Sequence, residues 1–146
     1  MKKTIFIFFA LICSAFLQSQ NINVSLATVS SADTLVQVTV PFYVSGLDAT
    51  AGGTQVTALE FYVYYNNVEI DYVNAINFYS GTPASQWIFG SNGQKYGCNW
   101  VHPQLLPISI PDSTKLFDIV FFYKKPVNSI LNISETECML VNAAFQ

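Results

Sequence analysis

Gln55 to Val73 reads QVTALEFYVYYNNVEIDYV, and its alternation decides the fold class. Taken in twos, Ala58, Glu60, Tyr62 and Tyr64 fall on one side, with Thr57, Leu59, Phe61, Val63 and Tyr65 on the other, as in a half-buried β-strand. Its β-branched and aromatic residues suit a pleated surface covered on one side. Asn66-Asn67 breaks the pattern, since Asn tolerates left-handed backbone and bonds to its own turn. Alternation resumes from Val68, so the stretch predicts strand, tight corner, strand. It holds neither a nucleophile motif nor a cluster of metal ligands, which points to function by a surface.

Outward from this stretch, further short runs repeat the theme. Ile22–Leu26 and Leu35–Ser45 precede it, with a Ser30–Asp33 corner between them. Pro41, which lacks a ladder donor, predicts an edge or a bulge in the second run. Gln86–Gly90 and the alternating Tyr96, Cys98 and Trp100 flank Ser91-Asn92-Gly93, whose Asn-Gly pair is a hairpin signal. Pro103, Pro107 and Pro111 punctuate the chain before a strand over Leu116–Lys124, which Pro126 ends. Ser129–Ser134 and Cys138–Phe145 complete the set. Eight or nine short strands with a turn roughly every ten residues predict an all-β sandwich of Greek-key or jelly-roll type.

The N-terminus carries a different signal. Lys2 and Lys3 precede an apolar run over Ile5–Leu17 and a small residue at Ser19, the pattern of a secretory signal peptide. The run is shorter than the roughly 20 residues a membrane-spanning helix needs. The expected organisation is a leader over residues 1–19 and one domain over 20–146, exported and not membrane-spanning. Cys13 is a weak lipoprotein signal, because Ile12 stands before it where a small residue is wanted.

Without the leader the cations are Lys95, Lys115, Lys124 and Lys125, and the chain has no arginine. That argues against nucleic acid as a partner, since phosphate binding relies on clustered Lys and Arg. Cys98 and Cys138 remain, either as a disulfide or as two buried thiols. A bond closing a loop of about 40 residues would stabilise by about 3 to 4 kcal/mol in the chain-entropy model.

Catalytic and metal chemistry find little support. His102 is the one histidine, and with Cys98 and Cys138 it makes three ligands where structural zinc wants four. It stands beside Pro103 and reads as a loop residue. Glu60, Glu69 and Asp71 are the carboxylates nearest to a glycosidase pair, but Glu69 and Asp71 share a strand face and read as solubilising. Asp48 and Asp112 lack the dense oxygen spacing of a calcium loop. No enzyme activity, cofactor or metal site is expected. What stands out is aromatic: Tyr62 and Tyr64 on the strand face away from Phe61, with Trp87, Tyr96 and Trp100 on or beside neighbouring strands. Such rings dominate both protein hot spots and sugar-stacking platforms, and they also fill cores, the weightier reading for Trp87 and Trp100, as the surface is for Tyr62 and Tyr64.

The order of the pieces resembles a known family. Val40–Leu47, Ala58–Tyr65, Val68–Val73 and Lys115–Phe121 are similar to successive strands of cohesin domains, over nearly the whole of residues 20–146. The chain departs from that pattern at Tyr65-Asn66-Asn67, where cohesins usually carry Tyr-Asp-Pro, and at Asp112-Ser113-Thr114, where they carry a Gly-rich turn. The resemblance implies a nine-stranded jelly-roll sandwich that is exported, non-catalytic and binds a protein partner such as a dockerin. Its partner-binding face would carry Tyr62, Tyr64, Trp87, Tyr96 and Trp100. The same fold serves carbohydrate-binding modules, so polysaccharide is the alternative ligand, and a structural envelope role is the third reading.

Overall fold

In the computed structural model the described residues are 23–28, 35–47, 54–125, 127–134 and 136–142. The leader over 1–19, the Ser30–Asp33 corner, Asp48 and Pro126 lie outside them. Within them run ten strands: β1 (Asn23–Leu26), β2 (Val36–Ser45), β3 (Thr54–Tyr64), β4 (Ile70–Ile76), β5 (Trp87–Ser91), β6 (Lys95–Val101), β7 (Ile108–Ile110), β8 (Thr114–Tyr123), β9 (Asn132–Ile133) and β10 (Met139–Asn142). One 3₁₀ turn, Ala84–Gln86, precedes β5.

The strands make two antiparallel sheets. One is ordered β1-β2-β8-β4; the other is ordered β10-β3-β6-β5, with β7 and β9 also pairing with β3. This is the all-β sandwich that the alternation predicts. β3 is the spine of the larger sheet, and its parity is the one read from the sequence. Thr57, Leu59, Phe61, Val63 and Tyr65 are all buried, whereas Tyr64 is exposed and Tyr62 half-buried. The Asn66 corner is real too: its side chain accepts from the Val68 N–H and its carbonyl from Glu69 and Ile70. There the chain leaves one sheet and enters the other.

Between the sheets, aromatic rings fill the core. Phe42 of β2 lies 4.9 Å from Phe61 of β3 and 4.9 Å from Phe117 of β8, and Trp87 meets Phe117 edge-on at 5.0 Å. Rings from both layers therefore interlock, each pair adding about 0.5–1.5 kcal/mol beyond the area it buries. Central β8 is buried at every position from Leu116 to Phe121, so it is covered on both faces.

Two open readings resolve, and one strand goes beyond the expected set. Pro41 is not at an edge: β2 lies between β1 and β8, and the proline sits beside a register shift at Phe42/Tyr43. A bulge relaxes the ladder where the donor is missing. β7 was not foreseen, because prolines at 107 and 111 bracket its three residues. Cys98 and Cys138 are free thiols rather than a disulfide. Cys98 is opposite Phe61 on β6, and Cys138 directly precedes Met139, which pairs with Glu60. With β3 between them, two strand spacings of about 4.8 Å each separate their backbones, beyond the roughly 7 Å limit for a disulfide.

Candidate functional site

The outer face of the six-stranded sheet is set by β3 parity and the registers on either side of it. Glu60 is opposite Asn99, Tyr62 opposite Gly97 and Tyr64 opposite Lys95; beyond β6, Ile88 faces Asn99 and Gly90 faces Gly97. On the other flank Met139 is opposite Glu60. Apolar side chains stand out along this face: Ile88 is 74% exposed and Met139 48%.

The paired glycines make its relief. At Gly90 a β-carbon would meet nothing within 4 Å, while at Gly97 it would lie 2.7 Å from the Tyr62 ring. Two neighbouring strands thus lack side chains at the same level, and the Tyr62 ring lies across the gap. A shallow hollow of about 440 Å³ results, lined by Glu60, Tyr62, Ile88, Lys95 and Asn99 among others.

Its rim is a connected polar network. The Tyr62 hydroxyl donates to Glu60 Oε1 at 2.5 Å, and the Tyr64 hydroxyl to Glu137 Oε2 at 2.6 Å. Lys95 Nζ meets Glu137 Oε1 at 2.6 Å and stands 3.9 Å from the centroid of the Tyr62 ring and 5.4 Å from that of Tyr64. The Lys95 ammonium, then the Tyr64 hydroxyl, hold the Glu137 carboxyl down at about 2. Reciprocally, the bond to Glu137 raises Lys95, and the bond to Glu60 raises the Tyr62 phenol. Such charge-assisted bonds fix long side chains in place. The face is therefore preorganised.

Of the five aromatic residues expected on one face, the structure brings only Tyr62 and Tyr64 together outside. Trp87, Tyr96 and Trp100 point inward, at 6%, 0% and 0% exposure. Both indole N–H groups are satisfied internally, Trp87 on the Thr82 carbonyl at 2.9 Å and Trp100 on Gln86 Oε1 at 2.9 Å. Tyr96 packs against Tyr72 at 4.4 Å between ring centroids. These three are core residues. Gly90 and Gly97 belong to the face and went unnoticed. The signal was available, since the Asn92-Gly93 turn pairs Ser91 with Tyr96 and hence Gly90 with Gly97.

The other candidates are structural. His102 Nδ1 accepts from the Gln104 and Leu106 N–H groups and closes its own loop. Asp112 Oδ1 accepts from the Leu47 N–H. Glu69 accepts from Asn66, and Asp71 pairs with Lys124 at 2.9 Å on the sheet opposite Glu60, so these carboxylates do not converge. Burial, the largest cause, pushes both the Cys98 and Cys138 thiols up, away from the reactive thiolate. Among the described residues no group of three or more His, Cys, Asp or Glu side chains is placed to hold a metal ion, and no helix is long and apolar enough to cross a membrane.

No protein-family profile matches the sequence, and no curated protein matches it. In three dimensions the domain is cohesin-like. The sixth cohesin of scaffoldin B from Acetivibrio cellulolyticus, in complex with a dockerin, superposes with a TM-score of 0.69 at 16% identity, covering 86% of this chain and 89% of that one. The OlpA cohesin–dockerin complex from Clostridium thermocellum gives 0.68 at 10% identity, with 86% and 89% covered. The solution structure of CaCohA2 from Clostridium acetobutylicum gives 0.67 at 18% identity, with 86% and 81% covered.

Proposed function

We propose that residues 20–146 are an exported, non-catalytic module that binds a protein partner through the outer face of the six-stranded sheet. The observation that carries this reading is the hollow over Gly90 and Gly97, rimmed by the fixed Glu60, Tyr62, Lys95, Tyr64 and Glu137 network and by exposed Ile88. A pocket that accepts a side chain, within a polar rim whose bonds are already made, is the anatomy of a protein hot spot. Solved neighbours of this fold are complexes with dockerins, which makes a dockerin-type module the partner to test. The leader expected at residues 1–19 supports an encounter outside the cell.

Polysaccharide binding is less well supported by this surface. Sugar platforms use exposed planar rings, yet both tryptophans are inside, and the Tyr62 ring already carries the Lys95 ammonium.

Gly90→Leu is the discriminating variant. It fills the hollow where a β-carbon meets nothing, so the fold is untouched while an entering side chain is excluded. Titration calorimetry against a panel of dockerin modules should give a binder that Gly90→Leu weakens by 30-fold or more, the loss of about 2 kcal/mol at a hot spot. Retention on insoluble cellulose or chitin, with no dockerin bound, would sink the proposal.

A further inference from the structure

The opposite sheet holds a second cluster that the binding face does not use. Asp118 on β8 is only 4% exposed although it points away from the core, between the inward-facing Phe117 and Ile119. Its Oδ2 accepts from Lys115 Nζ at 2.9 Å and from Asn77 Nδ2 at 2.8 Å. Its Oδ1, also buried, has no partner. Asn77 directly follows β4, whose last residue Ile76 is opposite Asp118, and its backbone is left-handed at φ 55°. A primary amine and a carboxamide from adjacent strands are thus held on one carboxylate oxygen. Two nitrogens on one oxygen are necessarily neighbours.

A buried carboxylate with an unpartnered oxygen is costly for a simple ion pair. It is what acyl transfer from an amide to an amine requires, namely a proton acceptor and donor within reach of both reactants. We propose that Lys115 and Asn77 become joined by an intramolecular isopeptide bond, with Asp118 as the proton shuttle.

The Lys115 ammonium gives one proton to the Asp118 carboxylate and becomes a nucleophile. Rotation of the Asn77 amide turns its Oδ1 to the protonated carboxyl, which polarises the carbonyl. Nζ then adds to Cγ, forming the new C–N bond. A second Nζ proton passes to the departing Nδ2, the Cγ–Nδ2 bond breaks, and the ammonia takes the proton back from Asp118 to leave as ammonium. The carboxylate is regenerated, no electron changes hands, and no external reactant is needed. Lys115, its side chain 37% exposed, sits at the solvent side, which gives the ammonium its exit. The product ties the end of β4 to β8 in a chain whose Cys98 and Cys138 are free.

Peptide mass spectrometry on the purified protein decides the matter. Trypsin can cut after Lys95, Lys115 and Lys124, whereas the Lys125–Pro126 bond resists it. The bond predicts that the peptide ending at Lys95, which contains Asn77, is recovered joined to one spanning an uncut Lys115, lighter by one ammonia. Intact mass alone does not suffice, because an N-terminal Gln20 would lose the same ammonia on cyclising. Lys115→Arg should give only linear peptides, and so should Asp118→Ala if it folds by circular dichroism. Complete cleavage at Lys115 in natively folded wild-type protein would overturn the bond. A crosslink that persists in folded Asp118→Ala would overturn the shuttle.

Discussion

Replacing Phe61 with Ala tests the β3 parity on which both the core and the proposed binding face depend. Phe61 is 2% exposed, and its ring touches Phe42, which stacks on Phe117 in the opposite sheet. Removing it takes one member from a chain of rings bridging the sandwich. The neighbours cannot readily close the gap, because Cys98 and Phe42 belong to laddered strands held on both sides. The loss should therefore lie in the range of about 3–5 kcal/mol typical of Phe→Ala in cores that relax little. Against a whole-domain stability of about 5–15 kcal/mol, this moves a urea midpoint visibly. Tyr64→Ser, one position from Val63 but on the outer face, loses a hydroxyl bond to Glu137 and a ring 38% exposed. Its cost should stay within about 1 kcal/mol. Equilibrium urea unfolding followed by tryptophan fluorescence measures both, since Trp87 and Trp100 are core reporters. If Tyr64→Ser proves the more damaging of the two, the parity is inverted and the face described here is interior.

Two further outcomes follow from the titrating groups. Glu137, held at about 2 against an ordinary 4.5, is lowered in the folded state; its contribution is complete above pH 4.5 and disappears as pH falls towards 2, so wild type should lose stability across that window more steeply than Glu137→Gln. Parallel acid unfolding curves for the two proteins would show that the Lys95–Glu137 link does not contribute. For the thiols, protein unfolded without reductant should titrate two free groups, Cys98 and Cys138, while in the native state Cys98 should react last because it is buried. Zero thiols in the unfolded protein would mean that strand β3 does not separate them.

Much of this architecture is legible in the chain. Alternation in Thr57–Tyr65 sorts the core side of β3 from the outer side, although Val56 before it is buried against that parity, and the Asn-Gly turn marks the β5–β6 hairpin. The misplacement of Trp87, Tyr96 and Trp100 has a physical source. Aromatic side chains serve cores and surfaces equally well, so residue type does not choose between them. Parity does: Tyr96 and Trp100 share a strand face with Cys98, a residue type usually buried. Trp87 is opposite Trp100 across the hairpin and must follow it inward. Long-range placement was harder to read. That Asn66–Glu69 carries the chain between sheets, or that residues 77 and 115 meet, depends on pairings over tens of residues that local pattern does not encode.

The two outer surfaces are not equivalent, and β8 and β3 explain why. Both are central strands, but β8 is buried continuously from Leu116 to Phe121, whereas β3 alternates to its end. A strand covered on both sides offers its sheet no open centre for a partner, and the polar group it does hold, Asp118, is turned to contacts within the chain. On the β3 side a hollow stays open over edge strand β5, where Gly90 withholds a side chain that any other residue would supply, and at Gly97 the Tyr62 ring takes the place of one. The same glycines weaken their strands, since glycine loses more backbone entropy on folding and packs nothing. A paired weakness beside a sheet edge is expected where another surface must approach the backbone closely. Under the proposed function, recognition therefore centres on the hollow instead of on the aromatic rings alone, and Gly90 rather than Tyr64 is the residue on which binding should depend most.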